Sequence, residues 1–170
     1  MRIKAVLVIV MLLLTFVSNA QEKTKIVAKH TPITYIEKYD SISIALMEEY
    51  KIPTSIILGI SMWESGYGTS KLSTTKHNYF GIKKNGVYRS YESDIASFKD
   101  FCSYISNRKA YQYNYLITNN VLDYNVWLIK IQQGGYSEST NWKSKITYMI
   151  QKYKLYEYDN PRVDPQIIPD

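Results

Sequence analysis

The sequence predicts a mainly α-helical domain with one small β-hairpin, and three observations lead there. Apolar residues recur at helical spacing through most of the chain. The only break in that rhythm, between Ser70 and Tyr91, contains Asn85-Gly86 flanked by short apolar runs. The chain has 170 residues, 45% of them hydrophobic and 21% charged, which is ordinary globular composition. It excludes wholesale disorder, a collagen-like repeat and a multi-span membrane protein.

The elements follow in order. Residues 1–20 carry a positive start (Arg2, Lys4), an apolar run from Ala5 to Val17 and a small-residue exit, Ser18-Asn19-Ala20. That is a secretory signal pattern, and the run is shorter than the roughly 20 residues a membrane-spanning helix needs. Cleavage leaves about 150 residues, room for one domain. Export to the periplasm or the extracellular space is therefore expected, with no stable membrane span once the leader is gone. Residues 21–33 are polar, end near Pro32 and read as a linker.

From Thr34 to Tyr158 the pattern is that of a folded domain. Ile36, Tyr39, Ile42, Leu46 and Tyr50 share one helix face, and Pro53 suits the first position of a second helix. That helix has Ile56, Ile57, Ile60 and Trp63 on its apolar side and stops at Gly66. After the hairpin, Ser93 caps a helix with Ile95, Phe98, Phe101, Cys102 and Ile105 inward. A short aromatic helix is expected near 108–117. Asp123 opens the next, through Trp127, Leu128 and Ile131 to Gly134-Gly135, and Thr140 opens the last, with Trp142, Ile146, Met149, Ile150 and Tyr153 inward. Residues 159–170 hold three of the five prolines without helical or strand period, and read as an extended tail.

Charge and cysteine narrow the function. Without Arg2 and Lys4 there are 19 basic against 15 acidic residues, a formal +4 with no dense basic run. This suits loose attraction to an anionic polymer or surface and not specific nucleic-acid readout, so no nucleic acid partner is expected. Cys102 is the sole cysteine, so no intrachain disulfide exists, and its spacing makes it a small buried hydrophobe. His30 and His77 stand isolated in the sequence and no cluster has metal-ligand spacing. No metal or cofactor is expected, and nothing in the sequence sets an oligomeric state. Seventeen Tyr among 24 aromatics suit either a Tyr-rich core or a surface that holds sugars or other half-polar ligands.

Glu64 is the most informative residue. Ile60 lies one turn before it, which sets its carboxyl at the edge of the buried face near a helix C-terminus. Partial burial and the negative end of the helix dipole both oppose ionisation, so the group can serve as a general acid. Spacing alone leaves a plain solvated Glu open. In Trp63-Glu64-Ser65-Gly66-Tyr67-Gly68-Thr69-Ser70, two glycines leave space for a bulky ligand and Tyr67 offers a stacking ring. Asn78, Phe80 and Tyr91 are candidates for a groove floor, although Phe80 equally suits packing the hairpin onto the helices.

The segments Trp63 to Ser70, Asn78-Tyr79-Phe80-Gly81-Ile82-Lys83, Tyr88-Arg89-Ser90-Tyr91 and Gly135-Tyr136-Ser137 resemble, in order, the signatures of the glucosaminidase family of peptidoglycan hydrolases, the flagellar muramidase-like glycoside hydrolase family 73. The resemblance runs from about Thr34 to Tyr158. It implies a lysozyme-like helical domain with a small β-hairpin lobe, and hydrolysis of the β-1,4 bond between N-acetylglucosamine and N-acetylmuramic acid in peptidoglycan glycan strands. It also carries Glu64 over as general acid and Tyr136 as a catalytic or transition-state-stabilising residue. Tyr136 follows the Gly134-Gly135 helix stop, where a short turn can aim its hydroxyl into a groove; the bland alternative is a core Tyr at a helix end.

The sequence departs from the family in the β-lobe. Many members have a longer insertion there with a second carboxylate, whereas only Lys83 to Tyr88 separates Ile82 from Arg89. Glu92 and Asp94 lie just beyond, Asp94 equally placed to complement a helix dipole. Glycosidases normally pair two carboxyls, and the substrate acetamido group is a possible substitute for the missing base. Two other readings stay open: a lysozyme or lytic transglycosylase cutting on the muramic-acid side, and a non-catalytic glycan-binding protein of the same fold.

Overall fold

A computed structural model describes residues 31–107 and 113–160. The leader at 1–20, most of the 21–33 segment and the tail beyond Asn160 lie outside the described residues. Helix α1 spans Pro32–Tyr50, two residues earlier than the apolar spacing indicates, because Thr31 and Thr34 form a reciprocal capping box around Pro32. Pro32 thus belongs to the domain and not to a linker. Tyr35, Ile36, Tyr39, Leu46 and Met47 bury its inner face.

Helix α2, Thr54–Ser65, is the axis of the fold. Every residue from Thr54 to Met62 is buried, as expected for a helix that is apolar or small all round. Full burial of each Ile contributes about 1.5–3 kcal/mol. Pro53 is its N-cap and not its first helical residue, and supplies no capping side chain. The cap comes from far away: Asp159, placed in the tail by the sequence pattern, is buried and accepts from the Ser55 N–H and hydroxyl, each at 2.7 Å. Asp159 closes a 3₁₀ turn, Leu155–Asp159, so the domain extends at least to this residue.

Helices α3 (Lys71–Lys76), α4 (Asp94–Asn107), α5 (Asn114–Thr118), α6 (Tyr124–Gln133) and α7 (Trp142–Lys152) follow, α6 and α7 packing on α2 and α4 on α1. The 108–117 expectation is met only by α5, residues 108–112 lying outside the described set. Ser93 caps α4 through the Ala96 N–H, and Asp123 caps α6 through the Asn125 N–H. Asn141, one residue later than Thr140, is the N-cap of α7. A Cβ on Gly59 would lie 2.9 Å from Ile150 Cγ1, so the missing side chain lets α7 pack directly on α2. Cys102 is buried, as its spacing indicates.

Two expected core residues are not in the core. Ile95 is 48% exposed and Trp63 39% exposed. Both point to the predicted side of their helices, but α4 overhangs the core at its first turn and α2 emerges from it at its last.

Strands β1 (Lys83–Lys84) and β2 (Val87–Tyr88) form the antiparallel hairpin, with Lys83 opposite Tyr88 and Lys84 opposite Val87. Asn85 and Gly86 both take positive φ, as the tight turn demands. Among the described residues no helix is long and apolar enough to cross a membrane.

Candidate active site

Glu64 sits in the last turn of α2, where the chain leaves the helix through Gly66, Tyr67 and Gly68, all in the left-handed region. Its side chain is half-buried in a cavity of about 540 Å³ between the helices and the hairpin, a size suited to a ligand of several rings. Phe80, Gly81, Lys83, Tyr88, Tyr104 and Tyr136 are among the residues that line it. Burial raises the Glu64 pKa above its ordinary value, and the Trp142 indole, which donates to Oε1 at 2.8 Å, pulls it back. Burial is the stronger of the two, so the carboxyl holds its proton more tightly than a free glutamate does, with one oxygen held in place by the indole.

Tyr136 enters the same cavity. The Gly134-Gly135 stop, with Gly135 at φ +76°, turns the chain so that the Tyr136 hydroxyl donates to the Phe80 carbonyl at 2.8 Å. Its ring lies 5.4 Å from that of Trp142, between the Glu64 partner and the hairpin lobe. Phe80 lines the cavity and also packs: its ring stacks on Phe101 at 4.1 Å and is buried.

The other predicted binding residues do not line this cavity. Asn78 is buried, and its amide donates to the Ile82 and Arg89 carbonyls while accepting from the Ile82 N–H. It fixes the base of the hairpin. The Tyr91 hydroxyl donates to Asp100, which also pairs with Arg89, so Tyr91 anchors the segment after β2 to α4. Tyr67 turns toward α7, its hydroxyl 3.7 Å from Met149 Sδ.

The space before the acid also comes from a different glycine. A Cβ on Gly68 would lie 3.2 Å from Tyr79, so this glycine admits close packing, and none of the cavity's lining comes from Gly66 or Gly68. A Cβ on Gly81 would point toward Glu64, 3.9 Å from Oε2. Gly81, Lys83, Tyr104 and Trp142 are site residues that sequence reasoning passed over. Gly81 had a signal, in its position between two cavity-facing neighbours of the Asn78-to-Lys83 segment. Trp142 had none, since 78 residues separate it from Glu64.

Neither acid after the hairpin reaches Glu64. Glu92 is exposed, and it lines a separate cavity with Asp94, Lys38 and Ile42. Asp94 is engaged by Tyr39 at 2.6 Å, His77 at 2.7 Å and Lys38 at 2.9 Å. Burial would raise its pKa, but these three partners outweigh it and hold the carboxyl well below the usual range. His77, isolated in sequence, is therefore a hydrogen-bond partner of Asp94 in the fold. Among the described residues no group of three His, Cys, Asp or Glu can hold a metal.

Comparison with known proteins identifies the family of the fold. The glucosaminidase family, described as mannosyl-glycoprotein endo-β-N-acetylglucosaminidase, matches residues 40–155. The exo-glucosaminidase LytG of Bacillus subtilis (strain 168) is 26% identical over 145 residues, 72% of this chain; the chain spans about half of that relative's length, 51%. The catalytic domain of the autolysin Auto from Listeria monocytogenes superposes with a TM-score of 0.65 at 22% identity, covering 84% of this chain and 96% of that one. The glycoside hydrolase domain of FlgJ from Salmonella typhimurium, C-terminally truncated, gives 0.60 at 18% identity over 73% of this chain and 98% of that one. With the family matched across α1 to the 3₁₀ turn, and with Glu64 and Tyr136 meeting in one cavity inside that span, this chain belongs to the glucosaminidase family of glycoside hydrolases.

Proposed function

We propose that the protein is an exported peptidoglycan hydrolase, an endo-β-N-acetylglucosaminidase that cuts the β-1,4 bond between N-acetylglucosamine and N-acetylmuramic acid. The observation that carries the reading is the Glu64 carboxyl, its pKa raised by burial, facing a cavity large enough for several sugar rings. Glu64 protonates the glycosidic oxygen as the bond breaks. Trp142 holds Oε1, which leaves Oε2, on the Gly81 side, to face substrate. The Tyr136 hydroxyl, positioned on the Phe80 carbonyl, orients the substrate amide or the attacking water. Among the described residues no second carboxylate lines the cavity, so the substrate's acetamido group takes the place of a protein base.

Export is supported by the leader pattern at residues 1–20. The test is turbidity loss on purified sacculi followed by mass analysis of the fragments. Fragments with N-acetylglucosamine at the reducing end support the reading. Fragments ending in muramic acid, reducing or anhydro, reassign the cut to the muramic-acid side. The missing second carboxylate favours one further reading, a glycan-binding protein without turnover, which predicts sedimentation with sacculi and no fragments at all.

A further inference from the structure

The exposed face of α7 carries an aromatic and cationic pattern that the Glu64 cavity does not use. Lys145, Tyr148 and Lys152 are spaced by three and four residues and so share one side of the helix. Each lysine caps an aromatic ring. The Lys145 ammonium lies 4.8 Å from the Trp63 ring centre, and that of Lys152 lies 5.3 Å from Tyr148 and 5.4 Å from Tyr153. Tyr67 also turns toward this helix, its hydroxyl 3.7 Å from Met149 Sδ.

Two facts mark this face as a surface for an anion. From Ser139 to Tyr156 the chain has four lysines (Lys143, Lys145, Lys152, Lys154) and no Asp or Glu. Among the described residues no carboxylate pairs with Lys145 or Lys152, while Lys154 pairs with Glu157 at 4.0 Å. Tyr148 is 57% exposed, so its ring is open to a ligand beside the Lys152 ammonium.

Two links tie the face to the candidate active site. Trp63 is the chain neighbour of Glu64, and Trp142, the first residue of α7, holds the Glu64 carboxyl. A polymer lying in the cavity and leaving it past Trp63 runs onto this face. We propose that the Trp63, Lys145, Tyr148 and Lys152 face binds the carboxylate-bearing peptidoglycan strand outside the cleavage cavity, its lysines pairing with stem-peptide carboxylates and its rings packing on the sugar and peptide faces between them. This rests on the peptidoglycan reading above.

The test uses the Glu64→Gln protein, which binds without cutting, and sacculi stripped of phosphate-containing polymers. In that background Lys145→Ser with Lys152→Ser weakens co-sedimentation by roughly 5- to 10-fold, the scale of two exposed ion pairs, while the corresponding double Lys→Arg variant keeps it. Amidating the free carboxyls of the sacculi weakens binding of the parent protein by a similar factor and leaves the protein untouched, so this arm stands even if the Ser variant folds poorly. Equal sedimentation of the Ser variant, unchanged binding to amidated sacculi, or binding seen only before the phosphate polymers are stripped overturns the proposal. Release of fragments by the wild-type protein is scored separately, and its absence defeats the hydrolase reading without touching the binding result.

Discussion

The indole N–H of Trp142 donates to Glu64 Oε1 at 2.8 Å, so the one candidate acid of the cavity is held by a residue 78 positions away in the chain. Burial pushes the Glu64 proton on and this bond pushes it off, with burial the stronger. Gln in place of Glu keeps an oxygen for the indole but cannot release a proton to a leaving group. Glu64→Gln therefore leaves the melting temperature near that of the wild type and lowers turnover at least ~100-fold. Turnover close to wild type would end the claim for Glu64.

The same bond sets a pH dependence. A general acid works only while protonated, so activity falls as pH rises through the Glu64 pKa, and that pKa forms the alkaline limb of the turnover profile. Trp142→Phe deletes the one partner that lowers it, and the alkaline limb moves to higher pH. Turnover itself decreases because the carboxyl loses its orientation. A pH–rate profile of the variant checks the direction, and a limb shifted toward acid would contradict it.

Asp159, raised by burial like Glu64, makes a stability prediction. Its pKa is pushed up to about 6 by burial, against hydrogen bonds from Ser55 that pull it down. A carboxyl whose folded pKa exceeds its unfolded value near 3.8 binds its proton more tightly in the folded state. Its contribution is therefore fully present below about pH 4 and is lost as pH rises to about 6. Asp159→Asn removes that slope, which denaturant melts across the window would reveal. Asp159→Ala, or a chain cut after Tyr158, leaves the buried Ser55 N–H without its acceptor and lowers stability by about 1–3 kcal/mol.

Why Asp159 escaped the sequence pattern, while the helices did not, is a matter of range. Apolar spacing reports the direction a side chain takes around its helix, and in that sense it placed Leu46, Phe98, Trp127 and Ile146 correctly. It does not report whether another element lies in that direction, which is why Ile95 and Trp63 face the predicted side and meet solvent or a lysine. Glu64 stood out as a candidate beside a glycine-rich helix stop and Tyr136 through the family resemblance, and both line one cavity. Asn78 and Tyr91 were legible as polar residues in the lobe but not as its scaffold, since their roles depend on carbonyls and carboxylates that only the fold brings near. The Ser55 and Asp159 contact spans 104 residues and leaves no local trace.

Asp94 supports the fold through a cluster remote from Glu64. Its carboxyl, depressed by Tyr39, His77 and Lys38, contributes stability above its unfolded pKa near 3.8 and loses it as pH falls toward the lower folded value. Asp94→Asn therefore lowers the melting temperature at neutral pH and flattens this acid-side loss, which thermal melts at two pH values would measure.

The last prediction separates a one-carboxylate site from a two-carboxylate site. A protein base costs several powers of ten in turnover when amidated, whereas Glu92 is exposed and Asp94 is spoken for by three partners in another cavity. Glu92→Gln and Asp94→Asn are expected to leave turnover within a few-fold of wild type at a temperature where both remain folded. Tyr136→Phe keeps the ring contacts with Phe101 and Trp142 but loses the hydroxyl that ties the Gly135 turn to the Phe80 carbonyl and faces the Glu64 cavity. Its turnover falls roughly 10- to 100-fold, below both acid variants, the scale of a lost positioning group near the reacting atoms. Measuring all three on one glycan decides the matter. If Glu92→Gln or Asp94→Asn is as damaging as Glu64→Gln while Tyr136→Phe is mild, the base is a carboxylate that must move into the cavity when substrate binds, and the role assigned to Tyr136 is wrong.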